Sequence, residues 1–223
     1  GLSGVTTGKR ECIFMSSDAK VLNRQKTKVL TTNYLVKVAV LAAIARVVMF
    51  FEFPLPIFPA FLKMDFSDLI PLLGGLAMGP LAGVLIELVK NLIHVVNSTT
   101  GGVGDLANFI VGAAYIFSVS YFYQKHKTKK GAVIGLIVGI FAMIVAGALV
   151  NYFITVPLYA IVLGLSTEAI VGMSAAVIPA IHDKLTLILF AFCPFNLHKG
   201  VLLTLLALPL YKHVSPLLHK GLV

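Results

Sequence analysis

Residues 194–200 read Pro-Phe-Asn-Leu-His-Lys-Gly, and an almost unbroken apolar run follows them to Leu210. Pro194 suits the first turn of a helix, where its missing N–H has no cost. Asn196 and Lys199 are three residues apart, so on a helix they project from the same face. An ammonium and an amide on a helix suited to lipid are costly unless they face a protein interior. The stretch therefore predicts a membrane-spanning helix whose polar face marks a substrate or ion path.

The composition of the whole chain indicates a membrane protein. Of its 223 residues, 58% are hydrophobic and 12% are charged, and the mean hydropathy is +0.96. Soluble domains are about 25% charged and a little under half apolar. Because backbone polar groups in lipid must be satisfied within their own segment, we expect an all-α, multi-pass protein of the cell membrane. The net charge of +9 comes from basic residues that lie mostly between apolar segments, which is typical of membrane topology rather than nucleic-acid binding.

The basic residues also predict the topology of a six-transmembrane-helix bundle. They cluster before the first apolar segment, between the fourth and fifth, and after the last. An even number of crossings brings these clusters to the cytoplasmic side, with the N-terminus in and the C-terminus in. The predicted helices are residues 34–51, 68–78, 81–96, 105–123, 131–157 and 194–211.

This topology divides the chain into three parts. Residues 1–33 are expected to form a basic, flexible cytosolic tail, residues 34–212 the six-helix substrate-binding domain, and residues 213–223 a cytosolic C-terminal tail. Residues 159–184 are interpreted as an outer connection with short helical pieces. Residues 185–192 are apolar but few, and the sequence leaves open whether they extend the last helix or form a separate segment.

The connection between the first two helices, residues 52–67, is unusual because it contains three prolines and four phenylalanines. The prolines exclude a regular helix, and the phenylalanines make the segment too apolar for a solvated loop. Irregular backbone at membrane depth is tolerated only against protein or a cavity. The segment is therefore predicted to be a lid or re-entrant loop lining a pocket at the outer face. Asp68 and Asp105 are predicted to cap the second and fourth helices.

The third helix carries a polar stripe. Glu87, Lys90, Asn91 and His94 follow the spacing of one helical face, so the stripe should point to the centre of the bundle. Glu87 is expected to pair with Lys90 or Asn91, in a role that is as compatible with structure as with function.

Several polar groups are expected to meet near the outer face. The fifth helix rises from the cytoplasm and brings Asn151 to its outer end, while the last helix starts there with Asn196 and Lys199. The loop of residues 52–67 and the end of the third helix reach the same level. An asparagine amide matches the imide edge of a pyrimidine-like ring, and phenylalanine faces allow stacking. The pocket therefore suits a flat amphipathic ligand, a class that includes several vitamins and nucleosides.

Four stretches of the chain form a recognisable set. They read Phe-Leu-Lys-Met-Asp-Phe-Ser-Asp at 61–68, Gly-Val-Gly-Asp-Leu-Ala-Asn-Phe at 102–109, Asn-Tyr-Phe at 151–153 with Pro-Leu-Tyr at 157–159, and the opening stretch at 194–200. In this order, over about residues 34–211, they resemble the riboflavin-specific substrate-binding (S) component of energy-coupling-factor (ECF) transporters. His198 departs from the family, in which that position is often apolar.

The resemblance implies the site, the ligand and the partners. The ligand is riboflavin, with FMN left open, and no cofactor is implied. The partners are the lipid bilayer, a transmembrane coupling protein and two ABC ATPases, which supply the ATP hydrolysis. The S components dock through small residues on the first helix, which gives a role to Ala39 and Ala43 beside the alternative of packing within the chain. The implied substrate-binding residues are Asn151, Asn196, Lys199, Phe61, Leu62, Lys63, Asp65 and Tyr159.

Two alternatives stand beside this interpretation. An S component for another vitamin, such as thiamine or pantothenate, would use a similar pocket, although Lys199 should repel cationic thiamine and the chain has no tryptophan. A membrane-embedded enzyme is the other alternative. The sequence has no His-Glu-x-x-His or Asp-rich metal motif, so neither catalytic residues nor a metal site are predicted.

Overall fold

A computed structural model describes residues 31–219, including their side chains except for Lys129 and residues 211–219. The predicted tails therefore lie largely outside the described residues. The chain divides into two units, residues 1–38 and 39–223. The described part of the first unit is the beginning of helix α1 (Thr32–Met49), which continues into the second unit.

The described chain is almost entirely helical, which confirms the predicted fold class. Four helical stretches are long and apolar enough to cross a bilayer, namely Thr32–Met49, Val103–Lys125, Lys130–Leu163 and Lys184–Leu210. Two shorter helices, separated by Gly79 alone, complete the predicted six, and Thr167–Ala175 is an additional short helix in the described residues. The helices that follow α1 are α2 (Leu69–Met78), α3 (Pro80–Val95), α4 (Val103–Lys125), α5 (Lys129–Val150), α6 (Val156–Leu163), α7 (Thr167–Ala175), α8 (Lys184–Leu187) and α9 (Cys193–His219).

Two π-helical turns lengthen helices beyond their predicted ends. The turn Asn151–Thr155 joins α5 to α6, so the fifth segment continues past Pro157 to Leu163. A π-turn shifts the hydrogen-bond pattern by one residue, and Pro157 falls in the first turn of α6, where no N–H is required. The second turn, Ile188–Phe192, joins α8 to α9.

The last helix is therefore longer than predicted at both ends. Residues 185–192 extend it, because α8 and the second π-turn lead directly into Cys193. A capping box formed by Asp183 and Thr186 starts this helical run. The other end continues past the predicted limit at residue 211 to His219.

The segment between α1 and α2 is a short hairpin rather than a wholly irregular loop. Strands β1 (Phe53–Pro54) and β2 (Lys63–Met64) pair antiparallel, with Phe53 opposite Met64 and Pro54 opposite Lys63. Leu62 and Met64 are buried, so the hairpin packs its second strand inward. We call residues 52–67 the outer hairpin.

Of the two predicted aspartate caps, Asp68 is confirmed in its position only and Asp105 is wrong. Asp68 does occupy the position before α2, but its side chain makes no capping hydrogen bond. Helix α4 begins at Val103 after Gly102, so Asp105 lies inside the first turn instead of before it. Both carboxylates bind side chains of other helices, and these long-range ion pairs replace the local capping bonds.

The hydrophobic core of the second unit has two parts. One lies beneath the outer hairpin and contains Phe58, Val156, Phe192 and Phe195. The other is formed by α2, α4, α5 and α9, which pack on one another through residues such as Leu72, Tyr115 and Leu203. Between these two apolar regions lies a group of buried polar side chains, which forms the base of the site.

Candidate functional site

A cavity of about 320 Å³ lies below the outer hairpin. It is bounded by the end of α3, the start of α4, both π-turns and the start of α9. Pockets for small organic ligands range from roughly 300 to 1,000 Å³, so a flat heterocycle fits this volume. The structure brings all eight predicted substrate-binding residues to its wall, namely Phe61, Leu62, Lys63, Asp65, Asn151, Tyr159, Asn196 and Lys199.

The two π-turns position the two asparagines. Asn151 begins the first turn, and its Nδ2 donates to the carbonyl of Gly147 at 2.7 Å. Asn196 follows the second turn, and its Nδ2 donates to the carbonyl of Phe192 at 2.9 Å. Each amide is buried and is held by one of its N–H groups. Its oxygen and its second N–H remain for hydrogen bonds to a ligand. π-turns recur at functional sites, and the sequence analysis did not identify these two.

Aromatic side chains form one wall of the cavity. The Phe61 ring lies 6.3 Å from that of Tyr159 and 6.0 Å from that of Phe192, measured between centroids. Phe195 also lines the cavity and is supported from behind by Phe58, at 5.4 Å and nearly edge to face. These are favourable aromatic geometries, so the wall is fixed before any ligand enters.

Lys199 contributes a buried cation to the base of the cavity. Its Nζ lies 2.7 Å from Asp68 Oδ2, 2.9 Å from Asn108 Oδ1 and 3.1 Å from Asp65 Oδ2. The contacts with Asn108 and Asp65 are hydrogen bonds and the contact with Asp68 is an ion pair, so they use two of the three N–H donors of the ammonium. A ligand that binds Lys199 therefore has to share the ammonium with these three partners or replace one of them.

Asp65 is ionised at this site. Burial raises the pKa of Asp65, but the charges of Lys199 and Lys90 and a hydrogen bond from Ser67 more than offset burial, so the pKa lies well below its usual range. The Ser67 N–H donates to Asp65 at 2.9 Å, which closes a turn just before α2. The carboxylate is thus fixed by its own loop and presents its other oxygen to Lys199.

The polar stripe of α3 faces the protein interior, as predicted. Glu87, Lys90 and Asn91 are buried, and His94 is mostly buried. Glu87 Oε1 lies 2.8 Å from Lys90 Nζ and accepts from Asn91 Nδ2 at 2.7 Å, so the predicted pairing of Glu87 with Lys90 or Asn91 is confirmed. Lys90 also pairs with Asp68. We call Asp65, Asp68, Glu87, Lys90 and Lys199 the charge cluster.

The mouth of the cavity is polar and its charges are paired. Lys63 of the outer hairpin donates to Glu52 at 2.7 Å and to Thr99 at 3.4 Å. His94 contacts Asp105, and its other ring nitrogen lies 4.0 Å from Glu52. The mouth therefore links the hairpin to the end of α3 and the start of α4 through the Lys63–Glu52 ion pair and the contacts of His94.

Some residues at the cavity wall were missed by the sequence analysis. Asn108 lies three residues after Asp105 on an otherwise apolar helix, and this spacing is the signal that could have revealed it. Its Nδ2 donates to Asn91 at 3.0 Å, which joins the cavity to the α3 stripe. Other wall residues that were missed include Thr99, Thr100, Thr155, Phe192 and Phe195.

The small residues of α1 divide between two faces. Ala42 and Ala45 are fully buried, whereas Ala39 and Ala43 are exposed. Neighbouring apolar side chains, including Val40 at 53% exposed, continue the same outer surface. Packing within the chain therefore accounts for the first pair of alanines and leaves Ala39 and Ala43 on a free surface.

Gly147 offers a test of how the asparagines are held. A Cβ at this position would lie 2.4 Å from Asn196 Nδ2, and the Gly147 carbonyl accepts from Asn151. Gly147→Ala should therefore displace the Asn196 amide and weaken ligand binding by about tenfold, the cost of about one buried hydrogen bond. The ligand affinity of the purified variant is measured by a titration followed by fluorescence. Gly172→Ala is the control, because a Cβ there meets nothing within 4 Å; equal affinities for the two variants would contradict the assignment.

Comparisons with known proteins identify relatives of this chain. The sequence profile of the family described as "ECF transporter, substrate-specific component" matches residues 33–211. The riboflavin transporter RibU of Staphylococcus aureus (strain TCH60) is 30% identical over 88% of this chain and 98% of its own length. The riboflavin transporter FmnP of Bacillus subtilis (strain 168) is 31% identical over 83% of this chain and 94% of its own.

A solved structure also matches the fold. It is described as the S component of a bacterial ECF transporter, with a TM-score of 0.66 and 31% sequence identity, and the match covers 83% of this chain and 96% of that one. Membership of such a family confirms two predictions: the protein is an integral membrane protein, and it is a transporter component rather than an enzyme. The chain belongs to the family of substrate-specific components of ECF transporters.

Proposed function

We propose that this chain binds riboflavin at the outer face of the membrane and delivers it as the S component of an ECF transporter. The observation that carries the proposal is the meeting of two buried amides with an aromatic wall in one cavity. The names of the S. aureus and B. subtilis relatives point to the same vitamin.

The chemistry of the wall fits a flavin in three ways. The free amide oxygens and N–H groups of Asn151 and Asn196 complement the alternating acceptors and donor of an imide edge. Phe61, Tyr159 and Phe192 supply the apolar contact that a tricyclic ring needs. The hydroxyl groups of Thr99 and Thr100 at the polar mouth suit a polyhydroxylated side chain.

The structure gives a different reason to exclude thiamine as the ligand. Lys199 was expected to repel a cationic vitamin, but Asp65 and Asp68 compensate its charge. In the described part of the chain, each carboxylate at the cavity wall is paired with a lysine or a histidine. A thiamine cation would therefore find its counter-ions already occupied, whereas a neutral flavin needs none.

A competition panel tests the ligand assignment. The detergent-purified chain is titrated with riboflavin, and the bound flavin is then challenged with thiamine or pantothenate. We expect riboflavin alone to bind saturably, with quenching of its fluorescence. Displacement of the flavin by an equal concentration of thiamine or pantothenate would favour an S component for that other vitamin.

We further propose the topology and the assembly that the family implies. The N-terminus and C-terminus face the cytosol, with residues 1–33 and 213–223 as tails around the substrate-binding domain of residues 34–212. A transmembrane coupling protein docks on the exposed Ala39 and Ala43 surface of α1, where small side chains allow close helix approach. Two ABC ATPases bound to that coupling protein supply the energy for transport.

FMN is expected to bind more weakly than riboflavin. The terminal phosphate of FMN would meet Glu52 and Asp105 at the mouth, where Lys63 and His94 are already paired with them. Two further donors at the start of α4, the N–H groups of Gly102 and Gly104, are occupied by Ser98 and Thr100. In the described residues of the mouth, no basic side chain therefore remains unpaired to neutralise a phosphate.

Glu52→Gln should relax this discrimination. The substitution removes one anion and releases Lys63, so FMN affinity should rise by about tenfold relative to riboflavin affinity, because hydrogen bonds to charged groups contribute about 1.5–3 kcal/mol. Parallel titrations with the two flavins measure the ratio. Glu168→Gln on the exposed surface of α7 is the control. An unchanged ratio in Glu52→Gln would contradict this account of the mouth.

A further inference from the structure

Asp68 is buried behind the cavity wall and does not line it. Its side chain is fully buried and bridges two ammonium groups, with Oδ1 toward Lys90 and Oδ2 at 2.7 Å from Lys199. We propose that Asp68 is a positioning residue for the substrate site and acts through Lys199. The inference rests on the proposed flavin site, because it explains how the lysine of that site is held.

The geometry around Lys199 gives Asp68 a distinct role among its three partners. Asp65 and Asn108 belong to the cavity wall, so a ligand that approaches Lys199 competes with them. Asp68 contacts the ammonium from the protein side, away from the cavity. It is therefore the partner that stays in place while the others are shared with the ligand, and it determines where Nζ can lie.

The local structure shows that Asp68 does not serve its own helix. It occupies the position before α2, where an aspartate usually accepts from the first N–H groups, yet its carboxylate makes no capping bond. Both of its oxygens point to lysines on α3 and α9 instead. The position of the Asp68 carboxylate is therefore set by Lys90 and Lys199 and not by the N–H groups of its own helix.

The ammonium of Lys90 holds the carboxylate of Asp68 in place. Lys90 contacts Asp68 and also Glu87, at 2.8 Å, and Glu87 is held by Asn91. The α3 stripe thus anchors Asp68, and Asp68 anchors Lys199. These contacts give the polar stripe a role in positioning the substrate site. From the sequence, its role was equally compatible with structure and with function.

A purely structural role for Asp68 is the alternative, because the residue also ties α2, α3 and α9 together. The two roles differ in their dependence on Lys199. A positioning residue affects ligand affinity only while Lys199 is present, whereas a structural tie affects affinity, through stability, in either background. A double-mutant cycle separates them.

The experiment is a riboflavin titration of the detergent-purified full chain in four forms: unmodified, Asp68→Asn, Lys199→Met and the double variant. We expect Asp68→Asn alone to weaken binding by about tenfold or more, but to change the affinity of the Lys199→Met background by less than about twofold. Glu168→Gln is the control, because it neutralises an exposed carboxylate of α7 that lies outside the cavity wall and the charge cluster. It should retain the affinity of the unmodified chain.

Equal losses from Asp68→Asn in both backgrounds would overturn the inference, as would an unchanged affinity in the unmodified background. If Asp68→Asn does not fold, Asp68→Glu takes its place in the cycle, since it keeps the charge for both lysines and moves the carboxylate by one methylene. Its expected loss also disappears with Lys199→Met, and affinity equal to that of the unmodified chain contradicts the proposal. Failure of the unmodified chain to bind riboflavin would instead contradict the proposed function.

Discussion

Replacing Asn151 and Lys199 together by alanine is expected to weaken riboflavin binding by roughly 100-fold or more. Each substitution removes polar contacts in a buried site, worth about 1–3 kcal/mol apiece, and each 1.4 kcal/mol corresponds to a factor of ten in affinity. The loss of Lys199 has a second effect, because it leaves Asp65 and Asp68 with one cation fewer at the base of the cavity. Fluorescence titration of the purified variant measures the change.

The matched control for this variant replaces the same residue types outside the cavity. Asn97 and Lys125 are exposed, and neither lines the cavity. The variant Asn97→Ala with Lys125→Ala should bind riboflavin as the unmodified chain does. The assignment of the site would be refuted if the Asn151 and Lys199 double variant kept the affinity of this control.

The second large effect is expected on assembly and not on ligand binding. Ala43→Leu adds bulk to the exposed small-residue surface of α1, where Ala39 and Ala43 lie on the same face. Because close helix approach depends on small side chains, the variant should lose co-purification with the coupling protein and its ATPases. Its riboflavin affinity should stay unchanged, since neither alanine lines the cavity.

Ala169→Leu provides the control for added bulk at an exposed helix position, because Ala169 lies on α7. It should co-purify with the partner subunits as the unmodified chain does. Recovery of an intact complex with Ala43→Leu would show that the partner docks elsewhere. Loss of the complex with both variants would indicate a general effect of surface leucines instead.

Much of the fold was predictable because hydropathy and proline act locally. Apolar length identified the spanning segments, and the prolines of residues 52–67 excluded a helix there. Helix direction then placed Asn151, Asn196 and Lys199 at one level, since the rise per residue is fixed. Their meeting in one cavity follows from topology and length alone, and for this reason it could be predicted without coordinates.

The features that were not predicted depend on long-range contacts or on small shifts of the backbone. Asp68 and Asp105 have the sequence pattern of caps, but the lysine and histidine that claim them lie on other helices. The π-turns differ from an α-helix by one residue in hydrogen bonding, and no residue type in them marks this change. The same limit applies to Lys199, whose partners Asp65, Asp68 and Asn108 come from two segments distant from it in the sequence.

The central claim is that the cavity beneath the outer hairpin is a flavin site. The measurement that tests it most directly is an equilibrium titration of the detergent-purified, unmodified chain with riboflavin, followed by flavin fluorescence. The account predicts saturable quenching with one flavin bound per chain, and its loss in the Asn151 and Lys199 double variant. Unquenched fluorescence across the titration, or saturable quenching that the double variant retains in full, would contradict it.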